Sequence, residues 1–125
     1  MKHLLALPVL AFAAACMTPG SDEPIADGMP AALGETVRVG SLLASPRSVV
    51  EDSRCPENAR CVWAGRLIVS TRIDGNGWRE TVPLTLGEPY ATHGTTVTLV
   101  SGRPEKRAER TTPRNEYRFV FAGGD

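Results

Sequence analysis

Residues 66–86 read RLIVSTRID, then GNG, then WRETVPLTL. Apolar and polar side chains alternate on both sides of the glycine-rich centre, and a period of two is the mark of a strand with one buried face. Leu67, Val69, Thr71 and Ile73 form one row; Trp78, Val82, Leu84 and Leu86 form the other, with Glu80 the exception. A two-residue Asn76-Gly77 turn, or a four-residue turn over residues 74–77, puts both rows on the same side, whereas a three-residue turn separates them. The hairpin register is therefore restricted in parity. Pro83 has no amide hydrogen to give to a ladder, so the second strand belongs at a sheet edge or faces outward at that point.

The same alternation predicts strands over residues 36–40, 95–101 and 116–122, the last with Tyr117, Phe119 and Phe121 on one face, and a further strand within 42–50. No segment of helical period stands out. With 125 residues in the chain, there is room for one domain and not two. The expectation is an all-β fold over residues 35–125: a small antiparallel sandwich or partly open barrel of five to six short strands. Its core is small, so a covalent cross-link has more effect than in a larger protein.

Immediately before the first strand stands DSRCPENARCVWAG, residues 52–65. Counting back from Leu67 with period two places Gly65, Trp63 and Cys61 on the core side, if no bulge intervenes at Gly65. Pro56 fixes the chain direction after Cys55, and the polar or small residues between the cysteines suit an exposed turn. A bridge between Cys55 and Cys61 closes a short ring, worth roughly 2 kcal/mol in the chain-entropy description. Zinc would need four ligands, and beyond these cysteines and His93 the domain has no histidine or cysteine to offer. Redox cysteines sit closer together, as Cys-x-x-Cys. A structural disulfide is the reading that remains, with no metal and no cofactor; a protease-inhibitor loop held by the bridge is the alternative.

At the other end, Lys2 and His3 precede an apolar run over residues 4–15, which closes on Ala13-Ala14-Ala15-Cys16. That is the anatomy of an export signal, and the run is too short to span a bilayer. Export puts the cysteines in an oxidising compartment. The chain has three, so one is left over when Cys55 and Cys61 pair. The leftover is Cys16, at the position where a diacylglycerol thioether would cap it. The cleavage region resembles a bacterial lipobox, with Ala13 where Leu is usual; secretion with a free amino-terminal thiol is the alternative. Residues 16–34 carry no apolar periodicity and read as lipidated cysteine plus flexible tether. Met17, where Asp would favour inner-membrane retention, points to the periplasmic face of an outer membrane.

Fourteen basic residues balance fourteen acidic ones, and loss of Lys2 with the signal leaves the remainder slightly acidic. This argues against a general nucleic-acid binder. The distribution is uneven: residues 102–114 carry Arg103, Lys106, Arg107, Arg110 and Arg114 against Glu105 and Glu109. The segment reads as a solvated loop or as a loop facing anions, with Arg103, Lys106, Arg107 and Arg110 as candidate contacts to anionic lipid or an acidic envelope protein. Asp52 is expected to turn the chain into the cysteine loop by bonding backbone amides, and Arg54 and Arg60 to be solvated.

The pattern DSRCP, four residues, then CVWAG and an alternating strand resembles the signature of a family of small bacterial secreted proteins and lipoproteins of unknown activity. The resemblance covers residues 49–73 and implies a bacterial envelope protein without assigning any functional residue. No Gly-x-Ser-x-Gly elbow, phosphate-cradling loop or His-Glu-x-x-His motif occurs. A triad of Asp52, Ser53 and His93 can be written, yet adjacent strand residues point to opposite faces. The expected function is that of a membrane-tethered, non-catalytic binding module. An inhibitor of a periplasmic hydrolase presenting residues 56–60 is the alternative, and a hydrolase the weaker one.

Overall fold

The computed structural model describes residues 23–124 together with Pro8. Cys16, and with it the expected acylation, lies outside the described residues, as does the expected export signal apart from Pro8. Seven strands alternate with turns: β1 (Val37–Val39), β2 (Leu42–Asp52), β3 (Leu67–Gly75), β4 (Trp78–Thr85), β5 (Tyr90–Thr92), β6 (Thr95–Arg103) and β7 (Arg118–Gly123). Among the described residues a single 3-10 turn, Arg114–Glu116, precedes β7. All pairings between strands are antiparallel, in two sheets ordered β1-β2-β3-β4 and β5-β6-β7. The fold is a sandwich of the expected class, with the three-residue β5 as the strand that the alternation does not reveal.

The central hairpin has the expected parity. Gly75 pairs with Trp78, leaving Asn76-Gly77 as a two-residue turn. Leu67, Val69, Thr71 and Ile73 are all buried, as is Leu84 opposite Val69. The apolar members of these rows meet Val97 and Leu99 of β6, Phe119 and Phe121 of β7, and Tyr117 just before β7 in one core cluster. β4 is an edge strand, consistent with Pro83. Bulges interrupt β2 between Pro46 and Ser48 and again between Val49 and Glu51, and β6 between Leu99 and Ser101. A bulge inserts an unpaired residue, and at the second β2 bulge and the β6 bulge the unpaired residues are the exposed Val50 and Val100.

The domain also takes in residues expected as tether. Ile25 forms a parallel bridge to Val37, and Ala31, fully buried, exchanges two backbone hydrogen bonds of 2.8 Å with Phe119. This short run therefore covers the free edge of β1 in one sheet and of β7 in the other. Its register is set by isolated bridges and not by an alternating run, so periodicity carries no sign of it. The packed domain therefore includes Ile25 and Ala31, ahead of the expected boundary at residue 35.

On the opposite side the sheets meet through β4 and β5. Glu80, the polar exception on the inward row, accepts a hydrogen bond from the Thr92 hydroxyl and one of 3.5 Å from Tyr90. Trp78 stacks on His93 with ring centroids 3.8 Å apart.

Candidate functional site

Asp52 and Arg54 are two residues apart on an extended chain, so their side chains leave the same side. The Arg54 guanidinium forks onto the Asp52 carboxylate, Nε to Oδ1 at 2.8 Å and Nη2 to Oδ2 at 2.9 Å, with the two side chains 13% and 9% exposed. The same guanidinium donates to the carbonyls of Gly102 at 2.8 Å and Pro104 at 3.2 Å. Tyr117 completes the set, its hydroxyl donating to Asp52 Oδ2 at 2.8 Å, while Lys106 Nζ donates to the Asp52 backbone carbonyl. Asp52 ends β2 of one sheet and Arg54 follows it; Gly102 lies in β6 of the other, and Tyr117 immediately precedes β7. The Asp-Ser-Arg triplet is a polar clasp between the two sheets.

Burial pushes the Asp52 carboxyl up, but the hydrogen bonds from Arg54 and Tyr117 and the charges of Arg54 and Lys106 outweigh it and hold the group below the ordinary carboxylate range. Burial and the neighbouring Asp52 together push the Tyr117 phenol up. Both directions favour a carboxylate that accepts and a phenol that donates. The expected backbone turn at Asp52 is thus replaced by a side-chain ion pair, and Arg54 is not solvated.

Beyond the clasp the β2–β3 ladder continues: Ser53 N bonds Arg66 O at 2.8 Å and Cys55 N bonds Ala64 O at 3.2 Å. Cys55 and Cys61 are joined in a disulfide with Cα atoms 5.8 Å apart. Gly65 breaks the alternation. Its φ is +68°, in the left-handed region, and a Cβ there would lie 1.7 Å from the Ser53 carbonyl oxygen. The residues before it consequently face outward. Trp63 is 81% exposed and Val62 91%, which corrects the expectation that the indole and Cys61 cover the core. The alternation fails at the glycine named as its condition.

The segment over residues 102–114 packs back on the cysteine loop. Glu57 N donates to Lys106 O at 2.9 Å, and Asn58 accepts from Ala108 N at 2.9 Å while donating to Glu109 at 2.6 Å. Arg107 bridges Glu57 at 2.7 Å and Glu109 at 3.2 Å; Arg103 pairs with Glu105 at 3.2 Å and Arg110 with Glu116 at 2.6 Å. Arg114 donates to Arg47 O at 3.1 Å. The four candidate anion contacts are therefore each engaged by protein groups. Two of the neutralising carboxylates, Glu57 and Glu116, lie outside the basic segment in sequence, and a local charge tally does not include them. A cavity of about 390 Å³ there has Arg103, Arg107 and Arg110 on its walls beside Glu57, Glu105 and Glu116, a balanced lining.

The written triad is not assembled. Ser53 donates to Glu51 at 2.9 Å, Asp52 is held by Arg54, and His93 lies on Trp78 with Nδ1 2.9 Å from Thr92 Oγ1. Among the described residues no helix is long and apolar enough to cross a membrane. What distinguishes this end of the molecule is an apolar pair, Val62-Trp63, held outward on a knuckle fixed from behind by a disulfide, a buried ion pair and the docked connection. Sequence reasoning passed over it because it assigned the indole to the core. No protein family, curated protein or solved structure significantly matches the chain.

Proposed function

We propose that this chain is a bacterial envelope lipoprotein, anchored through an acylated Cys16, that acts as a non-catalytic binding module through the Val62-Trp63 knuckle. The observation that carries the reading is a tryptophan 81% exposed beside a valine 91% exposed on a rigid mount. Large aromatic side chains dominate contact energetics when a partner covers them, and a mount that is already ordered costs little further entropy on binding. The polar groups behind it are spent on one another, so they support a shape and not a reaction. The disulfide is compatible with an extracytoplasmic location, and the DSRCP and CVWAG pattern supports the same setting by its resemblance to secreted proteins and lipoproteins.

Two substitutions test this. Cys16→Ser should move the protein from the membrane fraction to the soluble fraction. A photo-activatable residue at position 63 should give adducts in intact cells, while the same group at Asn76, exposed on the β3–β4 turn at the far end of the hairpin, should give none. Sedimentation of Cys16→Ser with membranes as for the wild type would remove the anchor. Equal labelling from both positions would remove the knuckle as the contact surface.

A further inference from the structure

We infer that the partner of the knuckle is the bilayer itself: Trp63 and Val62 seat in the headgroup region of the membrane to which the chain is tethered. The inference rests on the proposed anchor at Cys16 and names what the proposed surface contacts.

The direction of the chain is the first support. Ile25 runs parallel to β1 at the level of Val37, and Val37 pairs with Ala44 of β2. Since β1 runs away from the cysteine loop and β2 runs toward it, the chain enters the fold from the end that bears the knuckle. Length is the second. Nine Cα steps separate Cys16 from Ile25 in the sequence, a reach of about 30 Å when extended. From Ala44 to Asp52, β2 rises about 20 to 26 Å once its bulges are discounted, and the loop adds a few residues more. Fully extended, the chain from Ile25 back to Cys16 spans about the distance to the level of the knuckle, and it leads toward that end of the fold.

Chemistry is the third support. Tryptophan is favoured at membrane interfaces, where its apolar body and its N–H face different surroundings. Val62 beside it adds apolar area on the same tip. Arg60, one residue before the bridged Cys61, is exposed and has no ion-pair partner among the described residues, in contrast to Arg54, Arg66 and Arg107. A cation beside an interfacial aromatic complements anionic headgroups. Alternation alone places Val62 outward and Trp63 inward; Gly65 turns Trp63 outward as well.

The test uses the chain from Cys16 onward, coupled through the Cys16 thiol to maleimide-bearing vesicles of three parts phosphatidylethanolamine to one part phosphatidylglycerol, so that it does not depend on cellular acylation. Lipids brominated near the headgroup end of the acyl chain should quench and blue-shift tryptophan emission. Trp63→Phe, which leaves Trp78 as the only indole, should lose the quenched component. Trp78→Phe should retain it. Uncoupled Cys16→Ser protein should bind the same vesicles weakly, and a further Val62→Ser, Trp63→Ser change should abolish that binding with the thermal midpoint unchanged. Unquenched Trp63 in the coupled chain would overturn the inference. Adducts at position 63 made with protein instead of lipid would do the same while leaving the knuckle as a binding surface, and retention of Cys16→Ser in the membrane fraction would overturn the anchor alone.

Discussion

At the scale of single residues, Asp52 does the most. Its carboxylate accepts from Arg54 and Tyr117 and its carbonyl from Lys106, so removing its charge strands a guanidinium only 13% exposed. Asp52→Asn should destabilise the domain by about 2 to 3 kcal/mol, at the low end for a pair that retains some solvent. Chemical denaturation as a function of pH checks the cause. The carboxyl is depressed in the fold, so its contribution is complete above the ordinary aspartate value of about 3.9 and is lost as pH falls through the lower folded value. Asp52→Asn should flatten that acid limb. The Tyr117 phenol is raised, so its contribution is complete below about 10 and is lost as pH rises toward the folded value. Tyr117→Phe should cost about 1.5 kcal/mol near neutrality, as for a hydrogen bond to a charged acceptor, and flatten the alkaline limb.

At the scale of elements, the β2–β3–β4 meander shows what alternation can and cannot reveal. The rows Leu67 to Ile73 and Trp78 to Leu86, the Asn76-Gly77 turn and the edge position of Pro83 were legible because each follows from period two and turn chemistry. The outward turn of Trp63 was not, since it hangs on one backbone angle at Gly65. The clasp was half legible: Asp52 and Arg54 share a face by spacing, but their partners are Gly102 in the far sheet and Pro104 and Tyr117 at the ends of its connecting segment. In the same way Glu57, fifty residues from Arg107 in sequence, and Glu116, just past the segment's end, neutralise a basic segment to which neither belongs, and such pairings leave no periodic trace. Glycine substitutions separate the two kinds of position. Gly65→Ala forces a Cβ onto the Ser53 carbonyl at a φ of +68° and should cost about 3 kcal/mol, the upper range for local backbone strain. Gly77→Ala meets nothing within 4 Å and should cost about 1 kcal/mol, from the left-handed conformation alone. Thermal denaturation of the pair reads the difference. Cys55→Ser with Cys61→Ser should cost about 2 kcal/mol through the freed loop.

At the scale of the molecule, the sandwich is closed on three sides by different chemistry: the clasp at the knuckle end, the Trp78–His93 stack with Glu80 and Thr92 along one side, and residues 25–31 along the other. The last of these bears on where the domain starts. A chain beginning at residue 23 should fold as the full chain does, whereas one beginning at residue 35, the boundary that periodicity favours, uncovers β1 and β7 together. It should unfold at lower denaturant and elute as a broad, concentration-dependent species in size-exclusion chromatography; a monomer of unchanged stability would show that the Ile25 and Ala31 bridges are dispensable. Uncovered strand edges recruit other strands. For a protein confined to a surface, neighbours diffuse in two dimensions and collide far more often than in solution, and an open edge would zip copies into ribbons. The remaining long edge is β4, and Pro83 withholds an amide donor in its middle. Under the anchor proposed above, the Ile25 cover on β1 and that single missing hydrogen would leave crowded copies no complete long edge on which to pair.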